Sequence, residues 1–215
     1  MSITLYGISG SRAIRSIWAA EEVGIEYEHV PIHFAKDAKT EEYLAINPNG
    51  RIPALLDARA DGDMLLCESM AINLYLAKNY GGDLYPQTPV LEAQAWQWSV
   101  WGISEIEPLQ MQIVVQKFFT PEDKQDAGVS ARAQKGLARP LAVLNDALAT
   151  TPYLLGDEFS IADLNLAGVM LLLEMVSFDT GDWPHVHDWL RRCYGRESLT
   201  AARARESLTA ARARD

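Results

Sequence analysis

The chain has 215 residues, of which 48% are apolar and 22% charged, a balance typical of a globular protein with one large domain or two small ones. Its net charge of −10 argues against nucleic acid and anionic membrane surfaces as partners. Two cysteines, Cys67 and Cys193, are too few for a disulfide framework and fit a reducing compartment. The four histidines lack the spacing of metal ligands, so no metal is expected.

Neither a leader nor a membrane segment is expected. The first residues lack a basic region followed by a long apolar stretch, and no apolar run reaches the roughly 18 residues of a membrane span. The sequence therefore predicts a cytoplasmic protein with no membrane partner.

Short apolar runs alternate with helical patterns over the first eighty residues. The predicted strands are residues 3–6, 25–32, 52–56 and 64–67. The predicted helices are residues 11–23, 40–46 and 69–78. Ser11 is placed to cap the first helix and Gly24 to end it, while Asp61-Gly62 is a turn signal between the last two strands. The resulting order is βαβ, one more helix, and then ββα, which is an α/β unit.

The second half of the chain is predicted to be helical throughout. Residues 81–89 contain two glycines and a proline and are predicted to be a linker. A long helix over residues 90–119 is expected to kink at Pro108. Thr120-Pro121-Glu122 predicts the start of the next helix, because it combines a capping residue, a proline and an acidic residue in the order of a first turn.

A capping-box pattern marks the centre of the helical half. Ser160 and Asp163 precede a nearly continuous apolar face that predicts a buried helix, and another helix is predicted over residues 184–194. The sequence thus predicts an α/β domain over residues 1–80, a linker over 81–89 and an all-α helical bundle over 90–215.

A proline directly after Ile52 is unexpected at the start of an apolar strand, because proline cannot donate to a sheet ladder. A cis bond between Ile52 and Pro53 accommodates it, since cis bonds are largely confined to proline and usually mark a required turn. Such a turn leaves the N–H and C=O of Ile52 free to pair with an extended ligand, as another strand would. The alternative interpretation is a tight turn without a binding role.

Glu68 and Ser69 stand where the fourth predicted strand becomes a helix. Ser69 is suited to be the N-cap, and the free N–H groups and positive dipole end of the first turn favour a carboxylate. Glu68 beside it can pair with an ammonium group. Together with Ile52, these residues predict a site for a small zwitterionic peptide, although each motif alone also fits an ordinary turn or capped helix.

Four segments of the chain, in this order, resemble the cytosolic glutathione S-transferase family, in its serine-type, bacterial-like form closest to the phi and theta classes. They are Leu5-Tyr6-Gly7 with Ser11, residues 45–55 (AINPNGRIPAL), residues 68–76 (ESMAINLYL) and Ser160-Ile161-Ala162-Asp163. The resemblance implies a thioredoxin-like N-terminal domain, a C-terminal helical bundle and a homodimer. It also implies glutathione as the cosubstrate and a role in detoxification.

The resemblance further implies that Ser11 steadies the glutathione thiolate. Ser9 lies in the same loop and is the alternative donor. A free thiol has a pKa of about 8.5, and a hydroxyl donor at a helix N-terminus lowers it by stabilising the anion. Because the cosubstrate supplies the nucleophile, the protein needs no cysteine in this loop, and none is present.

The remaining site residues are also implied by the resemblance. Ile52 is expected to pair through its backbone with the cysteinyl unit of glutathione. Glu68 and Ser69 are expected to hold the γ-glutamyl end. Lys39 and Arg51 are the two cations expected near the glycyl carboxylate.

The leading functional hypothesis is a glutathione transferase that adds the thiolate to a small, hydrophobic electrophile. The electrophile is expected between residues 8–10 and the long helix, where the candidates are Trp101, Glu105, Pro108, Met111 and Val115. One alternative is a glutathione-dependent isomerase, dehalogenase or peroxidase. Another is a binding or regulatory module of the same fold without turnover.

The chain ends in a duplication, because residues 196–204 are repeated without change as residues 205–213. Nine residues turn an α-helix by about two and a half turns, so the second copy faces the opposite side from the first. We therefore expect the second copy to be dispensable for stability and binding. The alternative is a basic tail formed by its arginines.

Overall fold

The computed structural model describes residues 2–59 and 62–212, with side chains in the last helix described as far as Arg205. The chain packs into two compact units. One contains the chain up to Tyr85 together with the segment from Gly195 onward, and the other runs from Pro86 to Tyr194. The predicted division instead placed the terminal segment in the helical domain, because helix propensity does not indicate the surface on which a terminal helix packs.

The first unit is built on a four-stranded mixed sheet in the order β2-β1-β3-β4. The strands are β1 (Ser2–Tyr6), β2 (Glu28–Val30), β3 (Ala54–Ala58) and β4 (Met64–Cys67). β1 pairs parallel with β2 and antiparallel with β3, and β3 pairs antiparallel with β4. The first helices are α1 (Ala13–Val23), α2 (Glu41–Ile46) and α3 (Ser69–Tyr80). The predicted βαβ, helix, ββα order is confirmed.

The core of this unit combines side chains of the sheet with those of α1 and α3. The largest apolar ones are at most 1% exposed: Leu5, Ile17, Trp18, Leu55, Ile72 and Leu76. Burying an aliphatic side chain of this size stabilises the fold by about 1.5–3 kcal/mol. The predicted apolar runs therefore supply the packing that fixes both helices against the sheet.

Two strands are shorter or later than predicted. β2 covers three residues rather than eight, because Ile25 still donates to Ala20 in the turn that ends α1 and Pro31 has no N–H to extend the ladder. β3 begins at Ala54, since Pro53 likewise cannot donate. The predicted turn at Asp61-Gly62 falls partly on Asp61, which lies outside the described residues.

The second unit is helical, as predicted. Its α-helices are α4 (Pro89–Trp101), α5 (Glu107–Val114), α6 (Ala127–Ala147), α7 (Ile161–Met175) and α8 (Pro184–Tyr194). The structure places a π-helical turn, Gly102–Ile106, between α4 and α5, just before Pro108. Proline has no N–H for the regular helical ladder and its ring crowds the carbonyl four residues back, which a wider turn relieves.

The predicted start of the sixth helix is wrong. The Thr120 hydroxyl donates to the Val115 carbonyl at 3.0 Å, so it is engaged with the preceding turn. A short 3₁₀ turn, Glu122–Lys124, follows, and α6 begins only after Asp126, whose carboxylate accepts from the Gly128 N–H at 2.7 Å. Asp126 therefore takes the capping role that the pattern assigned to Thr120.

The capping box at the start of α7 is confirmed. The Asp163 carboxylate accepts from the backbone N–H of Ser160 at 3.0 Å. In return, the Ser160 side chain accepts from the backbone N–H of Asp163. Behind this start, most of α7 is buried. Even so, no helix among residues 2–59 and 62–212 is long and apolar enough to cross a membrane.

The terminal helix α9 (Glu197–Arg212) packs against α1. Leu199 and Ala202, both from the first copy of the repeat, are 0% exposed. Arg196 forms a two-pronged ion pair with Glu22, whose carboxylate also accepts from the Ser198 hydroxyl. The first copy is therefore an integral part of the packing around α1.

Candidate functional site

The strand register gathers the predicted site residues of the first unit at one end of the sheet. Tyr6 at the end of β1 lies opposite Ala54 at the start of β3, and Ala54 lies opposite Cys67 at the end of β4. The segments that adjoin these three strands therefore lie at the same end of the sheet. They are the loop that contains Ser11, the Ile52-Pro53 turn and Glu68-Ser69. Sequence spacing alone did not give this proximity, which comes from the pairing.

Gly7 connects the Ser11 loop to the Ile52 turn. It has φ +136°, and a Cβ placed on it would lie 2.5 Å from Ala13 Cβ and 3.3 Å from Ile52 Cβ. The loop after β1 therefore passes directly between Ile52 and the first residue of α1. Any larger residue at this position would push the Ser11 loop away from Ile52.

The Ile52–Pro53 bond is cis, as predicted. The Ile52 side chain is 8% exposed and packs in an apolar cluster with Ala38, Tyr43 and Ala54. Over the described part of the chain, no hydrogen bond reaches the N–H or C=O of Ile52. A residue with an anchored side chain and unpaired backbone groups is what the addition of an extended peptide requires.

Two side chains hold the peptide group just before Ile52. The Tyr43 hydroxyl and Asn47 Nδ2 donate to the Arg51 carbonyl at 2.8 Å and 2.7 Å. Burial, more than any nearby charge, raises the pKa of the Tyr43 hydroxyl, so it remains a neutral donor. Sequence reasoning missed both residues. The Asn47-Pro48 pair that ends α2 was a signal only for the end of that helix.

Glu68 adopts an uncommon backbone conformation, with φ +72° and ψ +116°. It occupies the N-cap position of α3, so the prediction of Ser69 as N-cap is wrong, and Ser69 is the first helical residue, 6% exposed. The sharp turn from β4 into α3 shifts the cap by one residue. Among the described residues, the Glu68 carboxylate and the Ser69 hydroxyl make no hydrogen bond or ion pair.

The two predicted cations differ in how they are held. Lys39 Nζ donates to the Gly50 carbonyl at 2.7 Å, a short distance typical of a charged donor. Arg51 is exposed, and within residues 2–59 and 62–212 its guanidinium has no hydrogen-bond or ion-pair partner. Only Arg51 is therefore available to a ligand without giving up a bond.

Ser11 sits two residues before α1, which begins at Ala13 rather than at Ser11. Its hydroxyl donates to the Ile8 carbonyl at 2.7 Å and accepts from the Ala13 N–H at 3.1 Å. The N-cap position is Arg12, so the prediction of Ser11 as the helix cap is wrong by one residue, although the Ser11 hydroxyl still accepts from the first N–H of α1. A hydroxyl has one proton, so donation to a ligand would replace the bond to Ile8.

The cysteine nearest this sheet end is not set up as a nucleophile. Cys67 precedes Glu68 and is half-buried. Burial, and secondarily the charge of Glu68, raises the pKa of the Cys67 thiol. Because the thiolate is the reactive form, this thiol is less reactive at neutral pH than an ordinary cysteine and is a poor candidate for a nucleophile.

Residues predicted for the electrophile lie along the run from α4 to the end of α5. Glu105, Pro108 and Val115 are exposed, while Trp101 and Met111 are partly buried. Within the residues described, no cluster of three or more histidine, cysteine or acidic side chains is arranged to hold a metal ion. The proposed role of these residues remains a prediction.

Comparison with known protein families identifies the family to which this fold belongs. Residues 1–78 match the model of the glutathione S-transferase N-terminal domain, and residues 106–197 match that of the C-terminal domain. The chain belongs to the glutathione S-transferase family. The family's N-terminal domain model therefore spans every residue described above at the sheet end, from Ser11 to Ser69.

Relatives and solved structures agree with this membership. Glutathione S-transferase 3 of Zea mays is 37% identical over 179 residues, which are 77% of this chain and 75% of that protein. A glutathione S-transferase domain-containing protein of Dictyostelium discoideum is 32% identical over 173 residues, which are 78% of this chain and 66% of that protein.

Several of the similar solved structures contain glutathione. A theta class glutathione S-transferase of Xanthomonas axonopodis, with glutathione bound, has a TM-score of 0.83 and 31% identity, covering 94% of this chain and 96% of that chain. A glutathione transferase of Burkholderia graminis, with two glutathione molecules bound per subunit, has a TM-score of 0.84 and 28% identity, covering 94% and 88%.

Proposed function

We propose that this protein is a glutathione transferase, which binds glutathione at the sheet end of its first unit and adds the thiolate to a small, hydrophobic electrophile. The observation that carries the proposal concerns three groups at the same end of the sheet. The Ile52 backbone, the Glu68 carboxylate and the Ser69 hydroxyl have no hydrogen-bond partner among the described residues. Ile52 and Ser69 are buried and Glu68 is exposed, so these groups present unfilled hydrogen-bonding positions at the edge of the fold, where a ligand can reach them. Glutathione supplies complementary groups for all three.

The proposed assignment follows the chemistry of each end of glutathione. The N–H and C=O of Ile52 pair with the cysteinyl unit. Glu68 accepts from the γ-glutamyl ammonium group, while the Ser69 hydroxyl and the first-turn N–H groups of α3 donate to the γ-glutamyl carboxylate. Lys39 or Arg51 supplies the charge opposite the glycyl carboxylate.

Ser11 is proposed to act on the sulfur. The first turn of α1 presents N–H groups and a positive dipole end, and the Ser11 hydroxyl adds a donor. On binding, this hydroxyl would turn from the Ile8 carbonyl toward the sulfur, with its bond from the Ala13 N–H retained. A hydrogen bond to a charged thiolate is stronger than one to a neutral carbonyl, so the exchange releases free energy only when the thiol is ionised. The pKa of the bound thiol is lowered as a result.

The proposed reaction is nucleophilic addition or substitution by the thiolate. With an aryl chloride, the sulfur attacks the carbon that carries chlorine, the C–S bond forms, and chloride leaves with the bonding electron pair. The thiol proton passes to solvent before the attack. The protein contributes position and stabilisation of the anion, and no residue changes its oxidation state.

Two measurements test this proposal in order. Calorimetry should detect binding of glutathione and of its analogue with a methyl group in place of the thiol, since the peptide ends are the same. Turnover of 1-chloro-2,4-dinitrobenzene should then depend on glutathione. If neither peptide binds, the proposal fails. If both bind and no electrophile turns over, the chain is the binding module considered above.

A second candidate, glutathione-dependent peroxide reduction, is favoured by the Burkholderia graminis relative with two glutathione molecules per subunit. Two glutathione thiols reduce one hydroperoxide to an alcohol and water and become one disulfide. Formation of oxidised glutathione in the presence of cumene hydroperoxide would support it. Thioether formation with the aryl chloride and no disulfide would support transferase activity instead.

A homodimer is also proposed, and the exposed face of α4 supports it. Val90, Trp96 and Val100 are 68%, 50% and 66% exposed and recur along one side of the helix, with Ile103 just beyond it. Light scattering after size exclusion should give a mass of two chains. Val100→Glu should shift the mass toward that of one chain.

A cytoplasmic location is proposed on the state of the cysteines. Neither Cys67 nor Cys193 forms a disulfide, and Cys193 is buried. Free buried thiols suit a reducing compartment. Fractionation of the native host with an antibody to the chain tests the location directly.

A further inference from the structure

A buried histidine contacts the loop that joins β1 to α1, residues 7–12, which contains Ser11. His29 is the middle residue of β2, is 9% exposed and is paired with Leu5 of β1 in the sheet register. Paired residues share one face of a sheet, so the imidazole lies on the same face as Leu5, which is 1% exposed. A polar ring at such a position costs free energy unless it is hydrogen-bonded.

The imidazole is bonded to the first residue of this loop. His29 Nε2 lies 2.7 Å from the Gly7 carbonyl oxygen. A carbonyl oxygen can only accept, so Nε2 carries the proton and donates. The Gly7 N–H donates in turn to the Val30 carbonyl at 3.0 Å. The peptide groups on both sides of Gly7 are therefore tied to β2.

The Gly7 carbonyl depends on the His29 side chain for its partner. The ladder between β1 and β2 ends at the pair of Tyr6 and Val30. Among residues 2–59 and 62–212, no backbone N–H reaches the Gly7 carbonyl. His29 therefore supplies the donor that a longer strand would have supplied from its backbone.

Gly7 adjoins both hydrogen-bond partners of Ser11. The Ser11 hydroxyl donates to the carbonyl of Ile8, the residue after Gly7, and accepts from the N–H of Ala13. Ala13 lies against Gly7, since a Cβ on Gly7 would come within 2.5 Å of the Ala13 Cβ. A shift of Gly7 would therefore move the groups that orient the Ser11 hydroxyl.

We infer that His29 is a positioning residue for Ser11, because it holds the Gly7 carbonyl and thereby the loop that presents the Ser11 hydroxyl to the sulfur. This inference rests on the proposed function, in which Ser11 stabilises the glutathione thiolate. His29 acts on the loop and not on the ligand. Loss of its bond should therefore change the ionisation of the bound thiol and leave the two ends of the peptide held as before.

The experiment compares two substitutions of His29. His29→Leu removes the donor, whereas His29→Gln keeps an amide N–H that can reach the same carbonyl. Leu5→Ala is the matched control, since it removes packing on the same face of the sheet and leaves the donor in place. Each full-length protein is titrated by calorimetry with glutathione and with the analogue that has a methyl group in place of the thiol. Turnover of 1-chloro-2,4-dinitrobenzene is then measured as a function of pH.

His29→Leu should lower kcat/KM about fivefold at pH values below the pKa of the bound thiol, the factor that corresponds to one neutral hydrogen bond. Its pH–rate profile should move to higher pH, and the difference from wild type should shrink once the thiol is ionised in both proteins. Affinity for the methyl analogue should change by less than about twofold. His29→Gln should restore most of the rate. Leu5→Ala should lower the melting temperature without moving the profile.

A double substitution shows whether the effect passes through Ser11. Residues that act as a unit are not additive, so His29→Leu should cause no further loss of kcat/KM when Ser11→Ala is already present. A full fivefold loss in the Ser11→Ala protein would overturn the inference. So would a His29→Leu protein whose pH–rate profile matches that of wild type.

Two further outcomes are kept distinct from these. If His29→Leu does not fold, His29→Met takes its place, because its unbranched side chain also lacks the donor and adapts more easily to the space. Failure of the wild-type protein to bind either peptide would contradict the proposed function itself, and it would be seen before any variant is compared. A wild-type protein that binds and turns over, beside an unaltered His29→Met protein, would overturn only the role of His29.

Discussion

Two helices, one in each unit, begin with a serine and an acidic residue, and they use those side chains in opposite ways. At the start of α7, the Asp163 carboxylate is buried and accepts four bonds, from two backbone N–H groups, the Ser160 hydroxyl and Trp189 Nε1. At the start of α3, the Glu68 carboxylate is exposed and accepts none from the described residues, and neither does the Ser69 hydroxyl.

The difference separates a structural motif from a candidate binding site. Where every acceptor position of a buried carboxylate is filled by its own chain, nothing remains for a ligand and the group serves the fold. Where the backbone adopts an unfavourable φ and leaves the side chains unpaired, the arrangement costs stability without serving the fold, which makes it a candidate binding site. Substitutions at the two helix starts should therefore change different properties.

The largest effect is expected for Asp163→Ala. It leaves the N–H groups of Leu154 and Ser160 and the indole of Trp189 without their acceptor in a buried region. We expect a loss of about 3–5 kcal/mol in unfolding free energy, measured by urea denaturation. The affinity of the remaining folded protein for glutathione should be unchanged.

Asp188→Ala is the control for this prediction. Asp188 forms an exposed 3.7 Å ion pair with Arg191, which is worth well under 1 kcal/mol. A loss at Asp163 no larger than the loss at Asp188 would contradict the view that the α7 start is purely structural and indispensable to the fold.

Sequence spacing predicted the structural motif better than the binding motif. The Ser160 and Asp163 pair is local, because a capping box needs only the right residues three apart. The conformation of Glu68 is imposed by the turn from β4 into α3, and the bonds of Tyr43 and Asn47 to Arg51 join segments brought together by the fold. Long-range pairing of this kind leaves no periodic signal in one sequence.

The next largest effect is expected for Ser11→Ala, which should lower kcat/KM about tenfold to thirtyfold. Loss of one donor to a developing oxyanion costs roughly 2–4 kcal/mol, and a diffuse thiolate accepts weaker hydrogen bonds, which places this loss at or just below the low end of that range. Because the hydroxyl stabilises the anion, its removal should raise the pKa of bound glutathione and move the pH–rate profile to higher pH. Affinity for glutathione should fall less than kcat/KM does.

Ser11→Thr and Ser9→Ala are the controls. Ser11→Thr keeps a hydroxyl and should retain the thiolate absorbance of bound glutathione. If Ser9→Ala removes that absorbance while Ser11→Ala preserves it, the thiolate donor is Ser9. If neither substitution changes it, backbone amides of the loop activate the sulfur.

A smaller effect, on binding rather than on turnover, is expected at Glu68. Glu68→Gln and Glu68→Gly should both weaken glutathione about tenfold, because each removes the partner of the γ-glutamyl ammonium group. Only Glu68→Gly relieves the backbone at φ +72°, so it should be more stable than Glu68→Gln by about 1 kcal/mol.

These two variants sharpen the contrast with α7, where substitution only destabilises. Calorimetry and thermal melting on both proteins give the two quantities independently. Wild-type affinity in Glu68→Gln would remove the carboxylate from the proposed site, and equal stability of the two variants would show that the turn carries no strain.

The smallest effect is expected at the second copy of the terminal repeat. Its first residue, Arg205, lies over the Tyr27 ring at 4.4 Å from the centroid and 3.5 Å from the Glu21 carboxylate. Both partners of that ion pair remain partly exposed, at 33% and 19%. Such contacts contribute about 1 kcal/mol or less. The first copy contributes more, because Leu199 and Ala202 are fully buried and Arg196 pairs with Glu22.

Truncation before residue 205 should therefore lower the unfolding free energy by about 1 kcal/mol or less and leave glutathione affinity unchanged. Arg205→Met in the full chain should lower the unfolding free energy by the same amount. Leu199→Ala should cost about 2–5 kcal/mol, since it opens a cavity against α1. The two copies share one sequence, so they differ only in what each copy touches. If truncation before residue 205 costs as much as Leu199→Ala, the second copy is part of the packing around α1, and the half-turn offset between the copies does not exclude it.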